Sequence, residues 1–255
     1  MERGTAFRSG NPALSEKTFE QWRTLSLPQN DVMTIQGTVN KTAILLFIAV
    51  VAASFTWKLF LDKNPVVLPL IIVGFVGALI VGLVTIFKKE WSPVTAPLYA
   101  ALEGLLLGGI SAMYNQAYEG IVAQAVVLTF GTLGVLLVAY KSGLIKATEN
   151  FKLMIVAATG GICLLYLVSI LFSAFGMPNA IPMIHSSGTF GIIFSLVVVA
   201  IAALNLVLDF DFIESGAEAG APKFMEWYGA YGLMVTLVWL YLEILRLLSK
   251  LRSRD

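Results

Sequence analysis

The chain has 255 residues, of which 58% are hydrophobic and only 13% charged, and its formal net charge is +1. Soluble domains average about 25% charged residues, so a chain this apolar lacks the polar side chains to cover its own surface. We therefore predict an integral membrane protein. The near-neutral charge offers no basic surface and excludes nucleic acid as a partner. A single cysteine, Cys163, excludes an internal disulfide.

The first 40 residues are polar and mixed in charge, and they precede the first long apolar run. A signal peptide would place its apolar core within roughly the first 15 to 30 residues. We therefore interpret residues 1–40 as a retained tail. A membrane domain over residues 41–250 and a short basic tail over residues 251–255 complete the predicted organisation.

Seven apolar runs follow, each of about the 20 residues that a helix needs to cross the hydrocarbon. None alternates apolar and polar residues with the period of two that a transmembrane barrel requires, so the spans are predicted to be helices. The fold class is all-α, a bundle of seven transmembrane helices. The runs cover approximately residues 42–61, 66–87, 94–114, 121–140, 153–175, 187–208 and 225–248.

Basic residues near the helix ends predict the orientation, because cytoplasmic loops are enriched in lysine and arginine. A cytoplasmic N-terminus places most of them inside, from Arg3 and Arg8 to Lys152 and Lys223, and leaves little outside beyond Lys58 and Lys63. One conflict remains at the end of the chain. If the seventh run crosses fully, a further group lies outside, so either this tail departs from the rule or the last helix is re-entrant. That group is Arg246, Lys250, Arg252 and Arg254.

Small residues recur every four positions in two of the runs: Gly74, Ala78 and Gly82 in the second, and Gly104 and Gly108 in the third. This spacing lets helix backbones approach closely in lipid, where no hydrophobic force draws helices together. We favour a packing role for these residues over a gating hinge.

Acidic residues within the apolar runs need an explanation, since a charge at the bilayer centre costs roughly 2.5 to 3.5 kcal/mol. Glu103 is predicted near mid-membrane, with no basic residue within four positions. Such a carboxylate must be protonated, paired across helices or hydrated, and each of these is common at functional sites.

A second acidic cluster, Asp209, Asp211 and Glu214, is expected where the sixth span ends. Acids facing water at a helix end are ordinary, although several carboxylates together could attract Ca²⁺.

Glu243 lies in LVWLYLEILRLLSK, and Arg246 and Lys250 share its helical face. Two interpretations stay open for it. One is a structural Glu–Arg pair facing the bundle interior, and the other is a titratable carboxylate lining an ion path.

Enzymatic patterns are weak. His185 stands beside Ser186 and Ser187 in a predicted loop, without the G-x-S-x-G context of a nucleophile. No phosphate-binding glycine loop occurs either. We expect neither an enzyme nor a resident cofactor.

The order of several segments resembles the Bax inhibitor-1 family: TAPLYAALEGLLLGGIS in the third span, LDFDFIE at the sixth and LYLEILRLL in the last. The bacterial branch with NPALSEKTF and MTIQGTVNKT before the first helix is the most similar. The resemblance covers nearly the whole chain, and the combination of segments carries it more than any one motif.

The resemblance implies seven helices with the last helix central, a location in the bacterial inner (plasma) membrane, and a pH-sensitive Ca²⁺ leak. It also implies a proton-sharing pair of acids, one from the sixth helix and one from the seventh, for which Asp209 and Glu243 match by residue type. This sequence departs from the family pattern, since the second acid is Glu and the two acids are 34 positions apart, a longer interval. A hairpin turning near Gly220 would place Asp209 level with Tyr231 instead, nearer Glu226 than Glu243.

We therefore expect a Ca²⁺ leak channel or cation/proton exchanger, with Ca²⁺ and protons as its substrates and the lipid bilayer as its surroundings. Glu103, Asp209, Asp211 and Glu243 are the candidate ion-path and pH-sensing residues, and Arg246 is the candidate charge partner. The alternative is a non-conducting interaction protein that modulates a membrane protease or a stress response through its tail and loops.

Overall fold

Seven helices account for nearly all of the chain that the computed structural model describes, which is residues 31–177, 181, 184 and 186–253. All seven are long and apolar enough to cross a membrane, so the predicted seven-helix membrane fold is confirmed. The helices are α1 (Ile35–Leu61), α2 (Val67–Phe87), α3 (Ser92–Ala117), α4 (Ile121–Lys141), α5 (Glu149–Ala174), α6 (Thr189–Glu218) and α7 (Met225–Arg252), with a 3₁₀ turn over Lys89–Trp91 before α3.

Helix α1 begins at Ile35, inside the segment predicted to be a tail. Thr34 adopts an extended backbone and its hydroxyl accepts a hydrogen bond from the N–H of Gly37 at 2.9 Å, so it caps the helix. Lys41, predicted to open the membrane domain, therefore lies in the second turn. Residues 1–30, His185 and the last two residues of the basic tail lie outside the described residues.

Helix α6 ends ten residues beyond the end of the sixth apolar run at residue 208, so the prediction that this helix ends before Asp209 is wrong. The helix continues through Asp209, Asp211 and Glu214 to Glu218. Acidic side chains do not interrupt backbone hydrogen bonding, and the helix stops only where Gly220 adopts a φ of 66°, the left-handed conformation that favours glycine. The acids are therefore interior positions of a helix.

The described residues divide into two compact units, the first formed by residues 31–119 with residues 211–235. Here α1 and α2 both pack on α3. A Cβ atom at Gly74 would lie 2.7 Å from the carbonyl oxygen of Leu102, and one at Gly104 or Gly108 would overlap backbone of α1. These contacts confirm that the small residues allow close helix packing.

The second unit comprises residues 120–210 and 236–253. Within it the amide of Asn205 on α6 donates to the hydroxyl of Thr159 on α5 at 2.9 Å. On the same helix as Asn205, Phe210 packs against Tyr140 of α4 with ring centroids 5.8 Å apart.

Helix α7 is the most buried of the seven. In its most apolar stretch 61% of the residues are buried, against 11–50% in the other helices. It is one continuous helix of 28 residues, not a re-entrant loop.

Candidate functional site

Asp209 is the buried acid with the least complete set of hydrogen bonds. Its residue is 2% exposed, and its carboxyl group is hydrogen-bonded to Thr236 on α7. The other oxygen, Oδ2, is buried and has no hydrogen-bond partner among the described residues. Buried polar atoms are nearly always paired, so an unpaired carboxyl oxygen marks a position where a proton, a water molecule or a passing cation would be stabilised.

Asp211 and Glu214 do not share this environment. Asp211 is partly exposed and Glu214 is exposed, because the helical twist turns them away from the direction of Asp209. The three acids therefore do not form one cluster. Of the three, only Asp209 is buried.

Glu243 is also buried, at 2% exposed, but its carboxylate is fully engaged. The guanidinium of Arg246 donates to both oxygens, at 2.7 and 2.8 Å. The hydroxyl of Tyr166 on α5 and the indole N–H of Trp239 donate to Oε1 at 3.0 and 3.3 Å.

Arg246 also donates to the Tyr166 hydroxyl at 2.6 Å, and its guanidinium lies 5.1 Å from the centre of that ring. This arrangement favours the structural interpretation of Glu243, in which the Glu–Arg pair fastens α7 to α5.

Asp209 and Glu243 do not form the pair that the family resemblance implied. Thr236, the hydrogen-bond partner of Asp209, precedes Glu243 by seven residues, about 10 Å along a helix axis. The residue level with Asp209 is thus neither Glu243 nor the Tyr231 expected from a simple hairpin. Asp209, on α6, therefore contacts α7 at a position separate from Glu243.

Glu103 lies in the other unit, on α3, and is 8% exposed. It is hydrogen-bonded to Tyr99, one turn earlier on the same helix. The ring of Tyr99 packs edge-on against Tyr231 of α7, with centroids 4.9 Å apart, and the Tyr231 hydroxyl donates to the carbonyl of Gly82 at 3.3 Å. Glu103 is therefore a buried acid surrounded by neutral phenol groups, with no salt-bridging cation found for it among the described residues.

A family model described as Bax inhibitor 1 like matches residues 11–253 of the chain. The chain belongs to the Bax inhibitor 1 like family. No curated protein and no solved structure matches it. Membership of the family agrees with the seven membrane-spanning helices.

Sequence reasoning did not anticipate the role of Glu226 in this Bax inhibitor 1 like protein. Its side chain is completely buried at the first turn of α7 and forms an ion pair with Lys41 of α1. Lys223 lies 3.1 Å from Oε1, and the backbone N–H and hydroxyl of Thr34 donate to the same oxygen at 2.9 and 2.8 Å. The absence of a side chain at Gly37 makes space for this carboxylate, because a Cβ atom there would overlap it.

The available sequence signal for Glu226 was weak. An acid in the first turn of a helix is ordinary, since it complements the helix dipole. No sequence pattern near Glu226 predicts its ion pair with Lys41, which is 185 positions away.

Lys250 was grouped with the basic residues that would lie outside the membrane if the seventh run crosses fully, yet its side chain is buried within the protein. Its ammonium group donates to the carbonyl of Gly191 at 3.0 Å and to the Ser195 hydroxyl at 2.8 Å, both on α6. The face shared with Glu243 predicted proximity to that acid, but Lys250 is hydrogen-bonded to the neighbouring helix.

Within residues 31–177, 181, 184 and 186–253, no group of three or more His, Cys, Asp or Glu side chains is arranged to hold a metal ion. The acids of this protein are therefore described best as single buried positions.

Proposed function

We propose that this Bax inhibitor 1 like protein moves Ca²⁺ across its membrane, as a leak channel or in exchange for protons, under the control of a membrane-embedded carboxyl group. The observation that carries the proposal is Asp209, buried against α7 with Oδ2 unpartnered among the described residues. Ionisation there would create a buried charge that one hydrogen bond from Thr236 only partly compensates.

The proposed control follows from that imbalance. In its neutral form Asp209 fits the packed contact between α6 and α7. In its ionised form the carboxylate needs water or a cation, and α6 must move relative to Thr236 to admit either. Flux is therefore expected to rise with pH, with the neutral form as the closed state.

Ca²⁺ prefers oxygen ligands, and carboxylates are its usual protein partners. Glu103 supplies a second buried carboxyl group, bonded to a phenol instead of a cation. It is the second candidate ion-path residue. Glu243 is not expected to meet the ion, because Arg246, Tyr166 and Trp239 already occupy its oxygens.

The test is Ca²⁺ flux into liposomes that contain the purified full-length protein, measured from pH 6 to pH 8. Wild type should show flux that rises with pH. Asp209→Asn, which cannot ionise, should remain at the low-pH level of wild type throughout. Glu103→Gln should reduce flux at every pH without removing its pH dependence.

The matched control is Glu218→Gln, which neutralises an exposed acid at the end of the same helix as Asp209 and should behave as wild type. Flux equal to that of empty liposomes at all pH values would exclude the transport proposal. An unchanged pH profile in Asp209→Asn would exclude Asp209 as the sensor.

A second candidate function is a membrane interaction protein acting through its N-terminal tail on a protease or stress-response partner. The observation that favours it is the attachment of the segment before α1. Val32 pairs with Pro222 in an antiparallel bridge, and Thr34 is bonded to Glu226 at the start of α7. A partner that pulls on the tail would therefore act on the most buried helix.

Deleting residues 1–30 separates the two functions, because the deletion leaves Thr34 and α1 in place. The transport proposal expects flux to persist without these residues. The interaction proposal expects the cellular phenotype to be lost while Asp209→Asn and Glu103→Gln still retain it.

A further inference from the structure

A cleft of about 880 Å³ opens between the end of α1, the start of α2 and the end of α3. All three helix ends belong to the unit of residues 31–119 and 211–235. The deeper part of the cleft is apolar and its rim carries one cation and three amides. Its lining includes Trp57 of α1, Lys63 and Asn64 after α1, and Met113, Asn115 and Gln116 of α3.

The position of the cleft matches a membrane–water boundary. It lies where two apolar helices end and one begins, and Trp57 is of the residue type that collects at such boundaries. Leu61, Leu68 and Met113 are more than half exposed at its mouth. An occupant therefore needs an apolar chain along the helices and a polar group at the rim.

The charged residues in the lining indicate which polar group the occupant carries. Lys63 is the only charged residue in the lining of this cleft, and no acid lines it. The amide side chains of Asn64, Asn115 and Gln116 add hydrogen-bonding groups beside it. An ammonium with amide donors suits a phosphate whose negative charge is not balanced by a cationic headgroup, as in an anionic phospholipid.

The backbone at Lys63 provides a second, independent observation. Lys63 has a φ of 52° and is the only non-glycine residue with positive φ in the part of the chain that the structure describes. At four other turns this conformation is occupied by glycine: Gly120, Gly143, Gly176 and Gly220. The same conformation ends α1, where the N–H of Lys63 donates to the carbonyl of Phe60 and that of Asn64 to Leu59.

Glycine is the usual residue at such a helix end because a side chain in the left-handed region is strained. A lysine at a position that favours glycine indicates a use for its side chain. The backbone conformation therefore points to a role for the Lys63 side chain, the only cation in the lining of the cleft.

We propose that this cleft is a binding site for one anionic phospholipid, with the phosphate at Lys63 and an acyl chain against the apolar residues between α1, α2 and α3. The site is independent of Asp209 and of the transport proposal. Its occupant would connect the α1–α2 turn to α3.

The test uses full-length protein purified and stripped of lipid in detergent, then titrated with phosphatidylglycerol or phosphatidylcholine. Native mass spectrometry reports the fraction of protein carrying one lipid. Wild type should bind phosphatidylglycerol about tenfold more tightly than phosphatidylcholine, and Lys63→Gln should lower that affinity to the phosphatidylcholine level.

Two variants separate the charge from the fold. Lys63→Gly should lose the preference for phosphatidylglycerol without lowering the thermal midpoint, since glycine suits the turn. Met113→Trp, at the exposed mouth, should weaken both lipids by obstructing the chain while Lys63 is unchanged.

Lys58→Gln is the matched control. Lys58 is an exposed cation in the last turn of α1 that does not line the cleft, so its removal should leave lipid binding unchanged. Equal affinity of wild type for the two lipids would overturn the proposal, as would tight phosphatidylglycerol binding by Lys63→Gln or by Met113→Trp.

Discussion

Two buried acids, Glu243 on α7 and Asp209 on α6, differ in the number of hydrogen-bond donors that contact them. Glu243 receives hydrogen bonds from three side chains, and its charge is balanced by Arg246. Asp209 is hydrogen-bonded to Thr236, and its second oxygen has no partner among the described residues. A satisfied buried ion pair holds helices in place, whereas an incompletely bonded acid responds to protons and ions. Burial within the protein therefore does not give the two acids the same role.

Removing the charge of Glu243 is expected to destabilise the protein. Glu243→Gln leaves Arg246 without its charged partner, and breaking a buried ion pair costs roughly 3 to 5 kcal/mol. Because the Arg246 side chain is 33% exposed, water compensates part of this loss, and we expect about 2 kcal/mol. Unfolding in detergent, followed by circular dichroism, measures the change. Glu218→Gln should lie within about 0.5 kcal/mol of wild type, and an equal stability of the two variants would contradict the structural role.

Neutralising Glu226 is expected to destabilise the protein at least as much, because its carboxylate joins the start of α1 to the start of α7. Glu226→Gln removes the ion pairs to Lys41 and Lys223 and leaves a partly buried ammonium. We expect a loss of about 3 kcal/mol. Limited proteolysis should also cut near residues 31–34 faster, since the neutral amide oxygen of glutamine accepts weaker hydrogen bonds from Thr34 than the carboxylate does. Protection equal to that of wild type would show that the bridge between Val32 and Pro222 suffices alone.

At the scale of helices, some glycines are required for close packing and others are not. A Cβ atom at Gly104 would overlap the carbonyl oxygen of Ala49, whereas one at Gly131 would meet no atom within 4 Å. The same substitution is therefore expected to have opposite effects in α3 and in α4.

Gly104→Ala should cost about 1 to 3 kcal/mol, because α1 and α3 must move apart. Gly131→Ala should be neutral or stabilise by up to about 1 kcal/mol, since alanine is the better helix former. Thermal unfolding of both variants in the same detergent compares them directly. If both lowered stability equally, close packing would not be the reason for Gly104.

The apolar runs predicted the number and type of the helices because composition alone decides which segments can cross a membrane. The end of α6 was not predictable in this way. Asp209, Asp211 and Glu214 look like a helix end by polarity, yet the backbone stops only at Gly220.

The alignment of α6 with α7 could not be predicted from the sequence either. Asp209 bonds to Thr236, five residues beyond the Tyr231 that a simple hairpin predicts, which is more than one helical turn. Helix register depends on side-chain packing and on the path of the connecting segment. For the same reason Glu226, whose partner Lys41 is 185 positions away, gave no signal.

For the whole molecule, the basic end of α7 seemed to conflict with a cytoplasmic N-terminus. The structure removes part of that conflict. Arg246 is paired with Glu243, Lys250 is buried against Gly191, and Arg252 donates to Gln124 at 3.1 Å. Cations held by partners within the protein do not act as free loop charges, and the positive-inside rule is a rule about loops.

A full crossing by α7 is therefore expected, and an odd number of crossings puts the two ends of the chain on opposite sides. Helix α7 has 28 residues, about 42 Å at 1.5 Å per residue, which exceeds the hydrocarbon thickness of about 30 Å. In a Cys163→Ser background, single cysteines would replace Asp62, Lys88 or Ser253, which are exposed between or beyond helices.

A membrane-impermeant maleimide applied to sealed vesicles of one orientation should label the Asp62 and Ser253 positions together, and Lys88 only after the membrane is opened or the orientation reversed. A permeant maleimide should label all three, which controls for reactivity. If the Ser253 position were labelled together with Lys88 instead, α7 would return to the side from which it started. The internal pairing of Arg246 and Lys250 would then not be what reconciles the basic end of α7 with the orientation of the chain.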